Sequence, residues 1–288
     1  MTVVGFIGLG VMGDPMSSNV AKAGFDLRLH DADPAVASAL AERIGATVVD
    51  RDGLAACDVV VCMLPTSAIV RSVLVDADGS TTPLRPGAVV VDMSSSDPSE
   101  TVETGRALAA LGVALVDAPV SGARERAVAG TLAIMMGGDD DAAIAAAVPV
   151  VESMSSTITR TGPLGTGHAM KALNNFVAAA AYAASSEALV AGERFGLDRR
   201  TMLDILNVST GMSWVTQHVT GPQILDGGFA SGFALPLMTK DVRIAQQVQR
   251  AVGHESPVCD AVAGALGDAL DALGAVDHTR AYEFWDRR

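Results

Sequence analysis

The glycine-rich segment at residues 8–13 constrains the fold of this 288-residue chain more strongly than any other feature. It has the spacing G-x-G-x-x-G, directly follows the apolar run Val3–Ile7, and precedes a stretch with apolar residues at helical intervals. In this strand–turn–helix context the glycines permit a tight turn, a close approach of the backbone to a pyrophosphate, and close packing of the helix on the strand. We therefore predict that the turn binds a dinucleotide cofactor through Gly8, Gly10, Val11, Met12 and Gly13.

An acidic residue, Asp31, stands at the end of the second apolar run, Leu27–His30. A carboxylate at this point of a dinucleotide-binding fold holds the hydroxyl groups of the adenosine ribose. Asp33 adds a second negative charge that would repel a 2′-phosphate, and no arginine follows directly, so we predict NAD in preference to NADP. The alternative is that Asp31 caps a turn ahead of Pro34.

Short apolar runs alternate with alanine-rich amphipathic stretches up to about residue 161. This alternation predicts a Rossmann-type α/β domain over residues 1–162, with a doubly wound, mostly parallel sheet. Beyond it nearly every stretch indicates helix, so we predict an all-α substrate and oligomerisation domain over residues 163–288, joined by a long helix over about residues 168–195. The predicted strands are Val3–Ile7, Leu27–His30, Val59–Cys62, Val89–Asp92, Val113–Asp117, Leu132–Met136 and Thr157–Thr159. The predicted shorter helices lie near Arg199–Asn207, Lys240–Val252 and Pro257–Ala272.

Composition narrows the possible function classes. A formal net charge of −13 gives no electrostatic reason to bind a polyphosphate, so nucleic acid is not an expected partner. The cysteines Cys57, Cys62 and Cys259 form no metal-binding or redox pair, which predicts buried free thiols, a reducing cytoplasmic compartment and no metal site. The chain begins without a basic secretory segment, and its longest run without proline or glycine, His168–Ala191, carries polar residues, so no membrane span is predicted.

Three further predicted strands end in segments whose composition suits ligand contact: Met63–Pro65, Ser94–Pro98 and Pro119–Gly122. The carboxyl ends of parallel strands line one crevice of a doubly wound sheet, so we expect all three segments to face the same cofactor. For the serines in the second segment, an alternative is that they cap a helix that begins near Pro98.

Lysine occurs at only three positions, 22, 171 and 240, among 20 basic residues. Lys171 lies early in the predicted long helix, and Asn175 follows four residues later on the same helical face. A lysine there can take the proton of a substrate alcohol as hydride leaves the carbon, provided that its surroundings bring its pKa toward working pH. The alternative is a lysine whose side chain reaches from an apolar helix to solvent.

Four blocks of sequence, in order across almost the whole chain, carry a close resemblance to a known family. They are Gly5–Met16; Asp117–Gly122 with Gly130–Leu132; Gly162–Gly167 with Lys171, Asn174 and Asn175; and Lys240–Asp241. The chain resembles the β-hydroxyacid dehydrogenases, which include 3-hydroxyisobutyrate dehydrogenase and tartronate semialdehyde reductase. Each block alone is a weak signal, whereas the four together in register are highly specific.

The resemblance implies roles for individual residues. It makes Lys171 the general acid/base, Ser121 and the Gly122 backbone the site for the substrate carboxylate, and Asn175 the group that orients the substrate oxygens. The resemblance further implies that Ser95 and the Leu64-Pro65 backbone line the nicotinamide end, that Lys240 closes over cofactor and substrate, that Phe233 stacks nearby, and that Trp214 walls the pocket. A tryptophan that only packs between helices is the alternative for Trp214.

One departure from the family pattern follows Gly122. The family usually has a second glycine where this chain has Ala123, so a Cβ atom enters a position at which the backbone comes close to substrate. Substrate size is therefore expected to differ. Arg124 and Arg126 follow, either as ordinary surface arginines or as groups that bind a second acidic group of the substrate.

The sequence thus predicts an NAD-dependent dehydrogenase that oxidises a small 3-hydroxy acid to its semialdehyde, with 3-hydroxyisobutyrate as the best single substrate. The alternatives are reduction of tartronate or succinic semialdehyde, imine reduction, and a non-enzymatic NAD-binding module. Imine reductases of this layout carry a residue other than lysine at position 171, which argues against that class. The alanine-rich helices and the family habit predict a homodimer or a homotetramer.

Overall fold

The structure, a computed structural model, describes residues 2–75 and 82–287. The chain divides into two compact units, Met1–Lys171 and Ala172–Arg288, here called the sheet unit and the helical unit. The division falls inside the long helix Thr166–Phe195, beyond the predicted domain boundary at residue 162.

Within the described residues, the sheet unit contains a nine-stranded and mostly parallel sheet. The strands are β1 Val3–Ile7, β2 Asp26–His30, β3 Thr47–Val48, β4 Val59–Cys62, β5 Val89–Asp92, β6 Ala114–Asp117, β7 Val120–Ser121, β8 Leu132–Gly137 and β9 Ser155–Gly162. Their order is β3-β2-β1-β4-β5-β6-β8-β7, with β9 paired to β8, and β8 is antiparallel to β6 and β7. The predicted doubly wound sheet is confirmed, and the strand order reverses between β1 and β4, where ligands bind in such folds.

The central strands explain why this sheet is covered on both faces. β4 and β5 read Val-Val-Val-Cys and Val-Val-Val-Asp, and all of their residues are buried. Successive side chains of a strand point to opposite faces, so Val59 and Val61 belong to one apolar core and Val60 to another. Strands buried on both faces require helices on both sides, as the sequence predicted.

Six helices of the described residues pack around this sheet. They are α1 Gly13–Lys22, α2 Pro34–Ile44, α3 Ser67–Leu74, α4 Pro98–Ala109, α5 Ala123–Ala129 and α6 Asp141–Glu152, with a 3₁₀ turn at Asp52–Ala56. Helix α4 begins at Pro98 as expected, but its N-cap is Asp97, whose carboxylate accepts from the Ser99 amide at 2.8 Å. The alternative that Ser94–Ser96 cap this helix is therefore wrong.

The described residues of the helical unit form helices and connecting loops. The elements are α7 Thr166–Phe195, which begins in the sheet unit, α8 Arg199–Asn207, a π-helix Thr216–Leu225, α9 Leu235–Ala251, α10 Pro257–Leu273, a 3₁₀ turn His278–Arg280 and α11 Ala281–Asp286. Small buried residues such as Ala179, Ala245 and Ala269 let these helices pack closely around Tyr182. The predicted all-α fold with its long helix is confirmed, whereas the π-helix was not predicted.

Some predictions from composition can be compared directly with the structure. Cys57, Cys62 and Cys259 are buried and unpaired, as predicted. Burial raises the pKa of the Cys57 thiol to about 11 and also raises the pKa of Cys62. Over residues 2–75 and 82–287, no helix combines the length and apolar character needed to cross a membrane, and no group of three or more potential metal ligands is found.

Candidate active site

The predicted cofactor turn joins β1 to α1, and its three glycines have different surroundings. Gly8 has a φ of +91°, and a Cβ atom there would overlap the Met63 backbone. A Cβ atom on Gly13 would overlap the Gly8 carbonyl, so this glycine is required for the helix to approach the strand. Gly10 is exposed and faces open space, since a Cβ built there would have no described atom within 4 Å apart from those of its chain neighbours. The turn is thus packed on one side and open on the other, as a pyrophosphate requires.

Asp31 lies beside this turn because the carboxyl ends of β1 and β2 are paired through Ile7 and His30. One carboxylate oxygen of Asp31 accepts from the Leu9 amide at 2.7 Å, and the other accepts from the Asp33 amide at 2.9 Å. Asp33 is the residue that caps α2. Each oxygen of Asp31 keeps a second lone pair that can accept from a ribose hydroxyl group. The open face at Gly10 and this acceptor beside it therefore fit an adenine dinucleotide.

The ends of β4 and β5 are held together by hydrogen bonds that start at a buried carboxylate. Asp92 accepts from the Ser94 amide at 3.0 Å and from the Ser96 hydroxyl at 2.8 Å. The Ser94 hydroxyl in turn accepts from the Leu64 amide at 2.9 Å. Leu64 and the half-buried Ser95 are thereby fixed at the same edge of the sheet as the glycine-rich turn, and Pro65 follows as an exposed residue.

Ser121 ends the short strand β7, and Gly122 joins this strand to α5. Ser121 pairs with Ala133 of β8 and is half-buried. Gly122 has a φ of +136°, and Ala123 adopts a left-handed φ of 56°, which is strained for a residue with a Cβ atom. The glycine usual in the family would take this conformation freely, so the departure at Ala123 carries a conformational cost. Arg124 and Arg126 are both exposed.

Lys171 is half-buried in the second turn of α7, and the start of this helix is held by a carboxylate from another element. Asp117, at the end of β6, is fully buried and accepts from the Gly165 amide and from the His168 amide, both at 2.8 Å. The His168 side chain is also buried, and its Nδ1 lies 2.9 Å from the Thr101 hydroxyl. This cluster lies in the sheet unit, as do the glycine-rich turn and Ser121.

In the helical unit, two predicted site residues meet at a buried carboxylate. Asn175 donates through Nδ2 to Asp241 at 2.7 Å, and Lys240 Nζ lies 3.2 Å from the other oxygen of Asp241. Asn175 is 8% exposed and the Asp241 residue is 2% exposed, so the charge of Asp241 is held by these polar neighbours. Asp241 thus fixes which way the Asn175 amide faces.

Phe233 follows a glycine-rich loop that a second carboxylate cluster secures. Asp277 accepts from the Ser231 hydroxyl at 2.9 Å and from the Gly232 amide at 2.9 Å, and Ser231 lies 3.0 Å from His278 Nδ1. The ring of Phe233 meets that of His278 edge-on, 5.8 Å between centroids. Burial lowers the pKa of His278, partly offset by Phe233 and Asp277. Burial acts to raise the pKa of Asp277, but hydrogen bonds from Thr279 and Ser231 lower it overall.

Trp214 does not pack between helices, because 69% of it is exposed in this chain. Its ring lies against His218, 5.0 Å between centroids. The packing alternative is therefore wrong, and Trp214 presents an apolar surface outside the core.

Several residues that hold the predicted ones in place were given no role from the sequence: Asp92 and Asp277, and also Asp117 and Asp241, which stand in the blocks that carry the family resemblance. A signal was present for Asp92 and Asp117. Each ends a run of apolar strand residues, and the register pairs them with each other. A charged residue at the end of a buried strand must find partners, so both could have been marked. For Asp241 the signal was its place beside Lys240 in a family block, and no comparable signal marks Asp277.

Comparisons with known proteins agree on one family. The model for the NAD binding domain of 6-phosphogluconate dehydrogenase matches residues 3–162. The model described as NAD-binding of NADP-dependent 3-hydroxyisobutyrate dehydrogenase matches residues 165–285.

Two curated relatives and one solved structure cover nearly the whole chain. A 2-(hydroxymethyl)glutarate dehydrogenase from Eubacterium barkeri is 34% identical, over 99% of this chain and 95% of that protein. An NAD-dependent L-serine dehydrogenase from Pseudomonas aeruginosa is 35% identical over 90% and 89%. The structure of Mycobacterium tuberculosis 3-hydroxyisobutyrate dehydrogenase with L-serine is 32% identical, with a TM-score of 0.89 and 99% coverage of both chains. The chain therefore belongs to the β-hydroxyacid dehydrogenase family of NAD(P)-dependent oxidoreductases.

Proposed function

We propose that this hydroxyacid dehydrogenase oxidises a small 3-hydroxy acid to its semialdehyde with NAD, and that 3-hydroxyisobutyrate is its preferred substrate. The observation that carries the proposal is the half-buried Lys171 at the start of α7, in the same unit as the open glycine-rich turn and the Ser121–Gly122 turn. A proton acceptor, a dinucleotide cradle and a carboxylate-binding turn are the groups that oxidation of a hydroxy acid requires.

The cofactor would lie on the turn formed by residues 8–13, with Asp31 accepting from its ribose and with Leu64, Pro65 and Ser95 beside the nicotinamide. When bound, NAD supplies the acceptor for the hydride. Lys171 takes the proton of the substrate hydroxyl group as the carbon–hydrogen bond breaks, so the alcohol carbon becomes a carbonyl carbon. In the reverse direction the same ammonium returns the proton to the carbonyl oxygen.

The proposed contacts hold the substrate at its carboxylate and at its other oxygens. Ser121 and the Gly122 amide bind its carboxylate, and Asn175, whose amide Asp241 orients, contacts its oxygens. Trp214 would provide an apolar contact for a methyl group, and the family resemblance gives Lys240 and Phe233 roles toward cofactor and substrate. The Cβ of Ala123 adds bulk beside the carboxylate and favours a small acid.

NAD is proposed as the cofactor in preference to NADP because two carboxylates flank the ribose position. The Asp33 backbone amide donates to the Asp31 carboxylate at 2.9 Å, so both acidic residues belong to the same turn after β2. A 2′-phosphate there would meet both negative charges without a compensating arginine directly after them.

A second candidate is a substrate with two acidic groups. Arg124 and Arg126 are exposed and directly follow the proposed carboxylate-binding turn, so one of them could bind a second carboxylate. A relative whose name states 2-(hydroxymethyl)glutarate, a diacid, supports this candidate. Semialdehyde reduction would use the same groups in reverse.

The test is the initial rate of NADH formation with 3-hydroxyisobutyrate, L-serine, 3-hydroxypropionate, glycerate, 4-hydroxybutyrate and 2-(hydroxymethyl)glutarate, repeated with NADP. We expect the highest kcat/KM with 3-hydroxyisobutyrate and NAD. A preference for 2-(hydroxymethyl)glutarate that is lost in the double variant Arg124→Ala/Arg126→Ala would support the second candidate instead. Absence of turnover across the panel in both directions would contradict the proposal.

We also propose that the chain forms a homodimer or homotetramer. The long helix α7 exposes apolar residues, including Val177 at 64%, beside alanines that permit close helix contact. Light scattering that gives only the monomer mass at micromolar concentration would contradict this.

A further inference from the structure

We infer that Asp117 is a positioning residue for catalysis, which sets the position of Lys171 by capping α7 from another element. The inference rests on the proposed function, because it takes Lys171 to be the proton acceptor. The buried Asp117 carboxylate is proposed to contact neither the substrate nor the cofactor. Its side chain holds the backbone of the helix on which the reacting lysine stands.

The start of α7 lacks a cap of its own. Gly165 precedes the first helical residue, Thr166, and has no side chain that could accept from the free amides of the first turn. Its φ of +93° also favours glycine over the residues that usually cap helices. The cap must therefore come from elsewhere in the chain.

Asp117 supplies this cap from the end of β6. One oxygen accepts from Gly165 N at 2.8 Å and the other accepts from His168 N at 2.8 Å, so both oxygens bind the same helical turn. The carboxylate is fully buried, and a negative charge at a helix N-terminus is further stabilised by the helix dipole. Lys171 follows His168 by three residues, and its amide donates to the carbonyl of Gly167 in the α-helical pattern.

Close packing leaves this turn little freedom to move. A Cβ atom on Gly167 would overlap the Met135 carbonyl, and one on Gly137 would overlap an oxygen of Asp117. On the far side, the buried Thr101 hydroxyl lies 2.9 Å from His168 Nδ1 and donates to the Asp97 carbonyl at 2.9 Å. The helix start is thus fixed to the ends of β6 and β8 and to α4.

The proposed carboxylate-binding turn at Ser121 and Gly122 is held by strand pairing and not by Asp117. A change at Asp117 should therefore affect Lys171 and the carboxylate site differently. Ser121 is held by pairing of β7 with β8, through Val120 with Ile134 and Ser121 with Ala133. Loss of the cap at Asp117 should therefore move Lys171 relative to the reacting carbon without removing the carboxylate site. A positioning role predicts a fall in kcat with little change in KM.

The test compares Asp117→Asn with Asp140→Asn. Asparagine keeps the volume of Asp117 but turns one of its acceptors into a donor that faces a backbone amide. Asp140 is the matched control, since it also accepts from two amides, those of Ala142 and Ala143, at the start of a helix that carries no proposed site residue. Steady-state rates are normalised to folded protein by circular dichroism, with the substrate that turns over fastest and its analogue deuterated at the hydroxyl-bearing carbon.

We expect Asp117→Asn to lower kcat by about 10- to 100-fold, the cost of a displacement of roughly 1 Å in a catalytic group. The KM values for the acid and for NAD should stay near those of the wild type. The deuterium isotope effect on kcat should rise as hydride transfer becomes rate-limiting. A kcat equal to that of Asp140→Asn, or a loss with an unchanged isotope effect and a raised KM, would overturn the inference.

If Asp117→Asn does not fold, Thr101→Val is used to test whether the position of the start of α7 controls kcat. It removes only the hydroxyl group that contacts His168, and we expect a smaller fall in kcat, about threefold, with the same rise in isotope effect. An isotope effect equal to that of the wild type would overturn the inference. Turnover retained by Lys171→Ala would instead overturn the proposed function, and with it this role. An inactive Lys171→Ala beside a normal Asp117→Asn would overturn the role of Asp117 alone.

Discussion

The sheet unit and the helical unit hold their proposed site residues by different means. In the sheet unit these residues follow the ends of paired strands, and buried carboxylates there bind mainly backbone amides, as Asp117 binds those of Gly165 and His168. In the helical unit the residues stand on helix faces and in a loop, and the side chains of Asp241 and Asp277 hold Asn175, Ser231 and Gly232, which lie far away in sequence. Strand register thus positions the proposed site residues of the sheet unit, whereas individual side-chain contacts position those of the helical unit.

The two units should respond differently to single substitutions. A backbone fixed by a sheet keeps its geometry when one side chain is removed, because neighbouring hydrogen bonds of the ladder remain. A loop fixed by one carboxylate loses several hydrogen bonds together when that carboxylate is removed. Single substitutions at proposed site residues of the sheet unit should therefore lower catalytic activity and leave the local structure intact. Single substitutions at the carboxylates of the helical unit should instead disorder the local structure.

The largest effect is expected from Lys171→Ala. Removal of the proposed proton acceptor should lower kcat by about 10²- to 10⁴-fold, the usual contribution of general acid–base catalysis. The affinity for NAD, measured by fluorescence titration, should stay close to that of the wild type because the glycine-rich turn is untouched. Lys22→Ala, at an exposed lysine of α1, is the matched control and should leave both quantities unchanged.

A second prediction concerns the carboxylate that secures the loop before Phe233. Asp277→Ala removes the acceptor for Ser231, Gly232 and Thr279 and should lower the free energy of unfolding by about 1–3 kcal/mol in urea titrations. Hydrogen exchange should become faster in residues 226–234. The exposed Asp271, changed to alanine in α10, is the control. Equal stability of the two variants would remove the contrast drawn between the units.

The glycine-rich turn at residues 8–13 provides a further test of the sheet unit. Gly10→Ala places a methyl group where, among the described residues, only its chain neighbours lie within 4 Å, so stability should hold while the Kd for NAD rises about tenfold. Gly264→Ala in α10 is the control, since its Cβ is equally unobstructed and alanine favours a helix. If Gly10→Ala bound NAD as tightly as the control, the pyrophosphate would not lie over this residue.

The contrast between strand ends and distant side-chain contacts explains which structural features the sequence could predict. The strands were predictable because β-branched runs such as Val59–Val61 are fully buried, and the residues that follow them were marked by position alone. Ser121, Asp31 and Leu64 could be named in this way, and the structure puts them at the ends of strands. The sites themselves remain predictions.

What could not be predicted depends on contacts between distant residues. Asp241 meets Asn175 across 66 positions, and Asp277 meets Gly232 across 45, so no local pattern marks either pair. The alternative that the serines near Pro98 cap α4 is wrong because Asp97, the adjacent residue, is the stronger competitor. The strained φ of Ala123 could be found only from the backbone conformation, because the sequence indicated only that the family's glycine is absent.

The smallest expected effect is the dependence of stability on pH that His278 gives to the helical unit. Burial lowers the pKa of His278 below its ordinary value of 6.5, so the unfolded chain binds this proton more readily than the folded chain does. Stability from the neutral imidazole is therefore complete above pH 6.5 and is lost as the pH falls below that value. The lowered pKa of Asp277 acts separately, because stability from its carboxylate is lost only as the pH falls below the ordinary value of 3.8.

The measurement is the thermal midpoint of the wild type and of His278→Asn at pH 7.5 and at pH 5.5. The variant should have a lower midpoint at pH 7.5, because it loses the imidazole contacts with Ser231 and Phe233. Its decrease toward pH 5.5 should be smaller than that of the wild type, since the titrating group is gone. Between pH 7.5 and 8.5 the two proteins should change in parallel, which serves as the internal control. An equal decrease in both proteins toward pH 5.5 would mean that His278 contributes no acid sensitivity to the helical unit. The contrast between the units would then be limited to the contacts by which each one holds its proposed site residues.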